Sequence, residues 1–275
     1  MKSQLRQRAT VNGVDLEYDL TGQGEPVLFI SPVLADAFVP LLSERRLVNR
    51  HRLITYHKRG WMGSTHTDGP VSVVDHANDA AALVDHLGIA RAHIVGHSSG
   101  AAVALQLALM RPDLVHTISL LELSLLSVPG AAGLLQKAAP AFDAYARGDY
   151  SHAVSVFLSA VSGLEWDACR KLLDERVPGA ITAAIDDATT LFGVELPGLS
   201  SWSFGPEQAA RMSSPVLSVL GSETEPLWVE IAELLRSWFP QVEEAMVEGA
   251  GHLLQIQRPD AVARALAAFF ERPTH

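Results

Sequence analysis

The five residues Gly96-His97-Ser98-Ser99-Gly100 put a hydroxyl where it can do chemistry. The apolar run 92–95 before them predicts a strand, and the run 100–110 after them predicts a helix. A serine on so sharp a strand–turn–helix connection has strained backbone angles, and flanking glycines remove the Cβ clashes that would block the turn. The turn lifts Oγ clear of the sheet and leaves the first N–H groups of the helix without intrahelical partners. This combination suits nucleophilic attack on a carbonyl, with Ser99 N–H as one donor to the oxyanion. Without that strand and helix, the same five residues would be an ordinary glycine-rich connection.

A serine hydroxyl needs a neighbouring base, and histidine is suited to the task near neutral pH. Of the eleven histidines, His252 is the candidate. It lies in Gly249-Ala250-Gly251-His252, just after the last predicted strand, where the glycines permit a tight loop. His97 lies inside the turn and can line a pocket, but its backbone position does not suit a base. His76 and His86 fall on a helix and are expected to be solvated. His93 falls in a strand and reads as a core residue.

The elements that position these groups follow from periodicity. Residues 8–20 read as a hairpin around Asn12-Gly13, and 27–30 and 51–56 as strands. Phe38, Leu41, Leu42, Leu47 and Val48 have helical spacing, as do Val74 to Leu87, which Gly88 ends. Strands alternating with helices predict a mostly parallel central sheet with helices on both faces. The alternation stops near Leu123 and resumes at Pro215. The expected organisation is an α/β core of residues 1–122 and 213–275, interrupted by a helical cap at 123–212.

These features resemble the α/β-hydrolase superfamily over essentially the whole chain. The turn Lys58-Arg59-Gly60-Trp61-Met62-Gly63-Ser64 is similar to the family's R-G-x-G-x-S turn, with the second glycine displaced by one and Met62 in its usual place. The resemblance implies the α/β-hydrolase fold, a cap inserted after the sixth strand, and a catalytic histidine at His252. It also implies a second oxyanion donor after strand 27–30. The family usually has a His-Gly pair there, whereas this chain has Ser31-Pro32-Val33. Pro32 has no N–H, so Val33 N–H is the candidate by position.

The acid that orients His252 has two possible sources in such a fold. The loop Gly221-Ser222-Glu223-Thr224-Glu225-Pro226 contains no Asp, and Thr224 stands where one is expected. Glu223 and Glu225 are the candidates there. The alternative is Glu122, which ends an apolar strand and is followed by Leu123. A carboxylate in such surroundings is costly to bury unless paired, and an imidazole is one partner. If it is not paired, Glu122 turns to solvent. Ser98, Glu122 and the residues around the serine resemble the fungal zearalenone lactonases, which implies Glu122 as the acid. That likeness concerns the triad layout and not the substrate.

Composition bounds the rest. Apolar residues make up 48% and charged residues 19%, enough for a substantial core. A net charge of −10 argues against nucleic-acid binding, and the basic residues near the start (Lys2, Arg6, Arg8) are too few to change that. No apolar run reaches the length of a membrane span, and the start lacks the apolar block of a signal peptide, so a cytoplasmic location is expected. The single cysteine, Cys169, fits a reducing compartment and reads as a small buried hydrophobe. No metal or cofactor motif is present, so none is expected. The expected partner is a small, moderately hydrophobic ester or lactone. Cap aromatics (Phe142, Tyr145, Phe157, Trp166, Phe192, Trp202, Phe204) are available for the pocket, though most read as cap core. Alternatives on the same scaffold are C–C bond hydrolysis, cofactor-free perhydrolysis, or slow-turnover ligand binding. Oligomeric state is not legible.

Overall fold

Eight strands form one sheet in the order β1-β2-β4-β3-β5-β6-β7-β8 in this computed structural model, which describes residues 6–272. Lys2 lies outside the described residues. The strands are β1 (Gln7–Val11), β2 (Val14–Thr21), β3 (Glu25–Ile30), β4 (His51–Tyr56), β5 (Ala92–His97), β6 (Val115–Leu121), β7 (Val216–Gly221) and β8 (Glu243–Val247). β1 and β2 are the antiparallel hairpin, and β2 joins the sheet antiparallel to β4. From β4 to β8 every pairing is parallel. The hairpin turn has φ +49° at Asn12 and +76° at Gly13, the left-handed pair that an Asn-Gly turn supplies.

Four longer helices and one broken segment cover or flank the sheet and its elbow. α1 is Val73–His86, α2 is Ser99–Met110, and α8 (Pro226–Trp238) and α9 (Pro259–Phe270) follow β7 and β8. Ser72 caps α1 through a reciprocal bond pattern with Asp75, which fixes where that helix starts. The fifth segment, 38–48, departs from the sequence expectation. It is a 3-10 stretch, Val39–Ser43, then a single turn, Arg45–Val48, with extended backbone at Glu44 between them. Pro40 and the break at Glu44 interrupt the helix that the apolar spacing implied, yet Phe38, Leu41 and Leu47 are still buried.

Alternate residues along each strand feed two cores. Leu28, Ile30, Ile94 and Ile118 pack with α1 and α2 on one face. Val27, Phe29, Val95 and Leu217 pack with Val262, Leu266 and Phe269 of α9 on the other. Truncating one such side chain, as in Phe29→Ala, costs about 3–5 kcal/mol because a dense core relaxes poorly around a void.

Between β6 and β7 the described residues are helical. The main elements are α3 (Ala131–Ala146), α4 (Tyr150–Ser162), α5 (Trp166–Arg176), α6 (Ala180–Asp186), a π-turn at Leu191–Glu195 and α7 (Leu196–Ser200). Cys169 is free and buried in α5. No helix among the described residues is long and apolar enough to cross a membrane.

His76 corrects the sequence reading. It is buried, not solvated, and neither ring nitrogen has a hydrogen-bond partner among the described residues. Its position three after Val73 and four before Ala80 puts it on the buried face of α1. Burial, first of all, pulls its pKa down to about 4, so the ring is neutral at pH 7.

Candidate active site

Chain order reverses direction between β3 and β5. β3 has β4 on one side and β5 on the other, so the loops leaving their carboxyl ends diverge and open a crevice. The segment after β3 brings Val33 to this crevice, and the segment after β5 brings Ser98.

Register then sets the neighbours. His97 pairs with Leu121, and Leu121 with Val219, so Ser98 and Glu122 leave adjacent strands side by side. Ser98 N–H donates to Leu121 O at 3.0 Å, Glu122 N–H to Val219 O at 3.1 Å, and Ser124 N–H to Ser98 O at 3.1 Å. Both turning residues carry strain. Ser98 has φ +55° and ψ −120°, and Glu122 has φ +44°. Non-glycine residues adopt such angles only where the surroundings over-determine them. The surroundings here are tight. A Cβ at Gly96 would sit 2.3 Å from Gly100 O, and one at Gly100 would sit 2.0 Å from Ile30 O. Only glycine fits on either side of the serine.

The histidine and one of the three candidate acids meet. His252 Nδ1 lies 2.7 Å from Glu122 Oε2, with both side chains buried. Gly221 N–H donates to Glu122 Oε1 at 2.8 Å, and Thr224 Oγ1 donates to Oε2 at 2.8 Å. The loop after β7 thus contributes an amide and a hydroxyl to the carboxylate of Glu122, where the sequence offered Glu223 and Glu225 as alternatives to it. Glu223 and Glu225 are elsewhere: the amide of Glu223 donates to Ala250 O, and the Glu225 carboxylate pairs with Lys137. Burial pushes the Glu122 carboxyl up to about 7, opposed by the Gly221 and Thr224 donors. Burial pushes His252 down to about 3. The imidazole is therefore neutral at pH 7, the form a general base requires.

Two further side chains hold His252. Trp228, near the start of α8, stacks on its ring with centroids 3.8 Å apart and planes 28° from parallel. His97 Nε2 lies 2.8 Å from His252 O, and Gln255 Nε2 donates to His97 Nδ1 at 2.9 Å. Since Nδ1 accepts, Nε2 carries the proton and donates to the His252 carbonyl. Burial holds His97 well below its ordinary pKa, consistent with that neutral tautomer. Ser124 is the remaining polar group, with its Oγ 2.9 Å from Ser98 Oγ. The sequence reading did not single out Trp228, Ser124 or Gln255. Only Ser124 had a local signal, lying two residues beyond the candidate acid.

Ser98, Ser99, His252 and Val33 line one cavity of about 170 Å³. Its roof comes from the helical segment between β6 and β7, including Leu134, Ala138, Phe142, Phe157 and Leu196. Among the described residues, no Asp, Glu, Lys or Arg lines it. Of the cap aromatics named from sequence, Phe142 and Phe157 reach the cavity. Tyr145 stacks on Phe192, and Trp202 and Phe204 meet at a tilt of 31°, in the packing of the same helical segment. Met62 has φ +54°, so it takes up the left-handed conformation that the displaced glycine would otherwise supply. Among the described residues, no group of three or more His, Cys, Asp or Glu is arranged to hold a metal ion.

An eight-stranded, mostly parallel sheet with a strained serine at the β5–α2 turn defines the class, and comparison agrees. The model of the alpha/beta hydrolase fold family matches residues 27–259, and the chain belongs to that family. It is 28% identical to "Putative non-heme bromoperoxidase BpoC" of Mycobacterium tuberculosis, across 94% of this chain and 98% of that protein. It is 31% identical to "Putative carbamate hydrolase RutD" of Azorhizobium caulinodans, but across only 39% of this chain and 41% of that protein. Among solved structures, a thermophilic esterase from Thermogutta terrifontis superposes with a TM-score of 0.81 at 19% identity, covering 97% of this chain and 98% of that one.

Proposed function

We propose that this protein is a serine hydrolase that cleaves an uncharged, moderately hydrophobic carboxylic ester or lactone through an acyl-enzyme on Ser98. The observation that carries this reading is the strained Ser98 facing the same apolar cavity as an imidazole paired to a buried carboxylate. In the first half-reaction His252 Nε2 takes the Ser98 proton as Oγ attacks the carbonyl carbon. Glu122 holds the Nδ1 proton and stabilises the imidazolium. The oxyanion is held by Ser99 N–H and Val33 N–H. His252 then protonates the departing alkoxide, and the acyl group stays on Ser98. In the second half-reaction His252 activates a water that releases the acid.

The lining of the cavity supports that substrate class. An apolar cavity of roughly this size holds about one benzene-sized group. With no charged lining, an ionised substrate would lose its hydration without a partner. A panel of neutral esters and lactones, assayed on wild type and Ser98→Ala, tests the reading. Turnover by wild type that Ser98→Ala loses supports it, and equal rates in both would refute it. The full-length likeness to BpoC favours a second outcome at the same serine, in which hydrogen peroxide replaces water and yields a peracid. Peracid formation from a neutral ester in the presence of hydrogen peroxide, absent in Ser98→Ala, tests that branch.

A further inference from the structure

Behind Ser99 lies a buried ion pair that the reaction does not use. We infer that Lys58 and Glu195 are positioning residues, a latch that ties the seating of the cap to the backbone of the serine turn through the hydroxyl of Ser99. The Lys58 ammonium and the Glu195 carboxylate are hydrogen-bonded and both buried. Ser99 Oγ donates to Glu195 Oε1 at 2.6 Å and lies 3.5 Å from Lys58 Nζ. Trp61 Nε1 donates to the other oxygen, Glu195 Oε2, at 2.6 Å. The carboxylate therefore has a partner on each oxygen and an adjacent cation, the condition under which a buried charge is tolerable.

The latch joins two parts of the molecule that are distant in sequence. Lys58 and Trp61 belong to the turn after β4, whereas Glu195 ends the π-turn of the cap. Such π-turns are rare and often mark functional positions. Other contacts seat the same segment on the same turn. Thr190 Oγ1 donates to Gly60 O at 2.6 Å, and Met62 N–H donates to Asp187 at 2.7 Å. Beyond the turn, Gly198 fits so closely against the segment before α1 that a Cβ there would lie 1.8 Å from Val71 O. The residues just after Glu195 (Leu196, Pro197, Leu199 and Ser200) form a wall of the cavity. One carboxylate thus sets a cavity wall and touches the residue whose N–H faces the oxyanion.

The oxyanion consequence rests on the hydrolase reading, while the mechanical coupling does not. The experiment combines hydrogen–deuterium exchange with ester kinetics on Ser99→Ala, Glu195→Gln and the double variant. Ser99→Ala keeps the N–H and the ion pair and cuts only the tether. We expect it to hold a near-wild-type melting temperature and KM, to lose about tenfold in kcat, and to exchange faster over 96–103 but not over 187–200. Glu195→Gln should loosen both segments, and adding Ser99→Ala to it should cost no further kcat. Wild-type kcat and exchange in Ser99→Ala would overturn the inference, as would losses that simply multiply in the double variant. The exchange arm needs no substrate. If wild type cleaves no ester yet Ser99→Ala loosens 96–103, the hydrolase reading fails and the coupling stands.

Discussion

The floor and the roof of the cavity are built on opposite principles. The floor is a set of strand ends with strained backbone, short polar contacts and opposed pKa shifts: Ser98 and Glu122 at positive φ, and His252 held by Glu122, Trp228 and His97. The roof is mostly carbon, contributed by α3, α4 and α7. Hydrogen bonds are directional and costly to break when buried, whereas apolar contacts tolerate change of shape. The floor should therefore fix the reaction, and the roof should set which substrates fit.

Substitutions can break or sharpen that contrast. The largest effect is expected from Ser98→Ala, a fall in kcat of about 10⁴-fold or more at unchanged melting temperature. Glu122→Gln should cost about 10²–10⁴-fold in kcat with KM nearly unchanged, because the imidazole loses its orientation and the partner for its charge. Glu223→Gln should be close to wild type, and the reverse ranking would move the acid to the β7 loop. Steady-state kinetics on one neutral ester measures all three.

The pH profile should follow the floor alone. Glu122 is pushed up to about 7, so as pH falls through that region the Glu122–His252 pair takes up a proton. The protonated pair cannot serve as the base, so kcat/KM should fall on the acid side, by about tenfold per pH unit, and level off above the limb. Phe157→Ala in the roof should leave that limb in place. Its expected effect is smaller than those of Ser98→Ala and Glu122→Gln: a change in KM of about tenfold or less and a shift of preference toward bulkier acyl groups, with kcat little altered. If Phe157→Ala lowers kcat as much as Glu122→Gln does, the division between floor and roof is wrong.

The floor was also more legible in the sequence than the roof. Strand–turn–helix periodicity located Ser98, and the glycines around His252 located the loop after β8, because backbone geometry there demands particular residues. Glu122 was readable as a carboxylate in an apolar run. The contacts that choose it over Glu223 and Glu225 were not readable, since Gly221 N–H and Thr224 Oγ1 are about a hundred residues away. Trp228 and Gln255 were missed for the same reason, as a stacking partner leaves no local pattern. In the cap, apolar helical spacing does not say which aromatic faces the cavity and which faces its neighbour. Phe157 and Phe192, for instance, have similar sequence surroundings but different roles. His76 shares the buried face of α1 with Val73 and Ala80, and helical spacing rather than polarity sets its burial.

The central claim is that Ser98 is the nucleophile of a working site. The direct measurement is intact-mass and peptide mass spectrometry of the folded protein after treatment with a fluorophosphonate. The expected result is a single adduct, mapped to Ser98 and abolished in Ser98→Ala. No adduct on the folded protein, or an adduct on Ser124 whose Oγ lies 2.9 Å away, would contradict it.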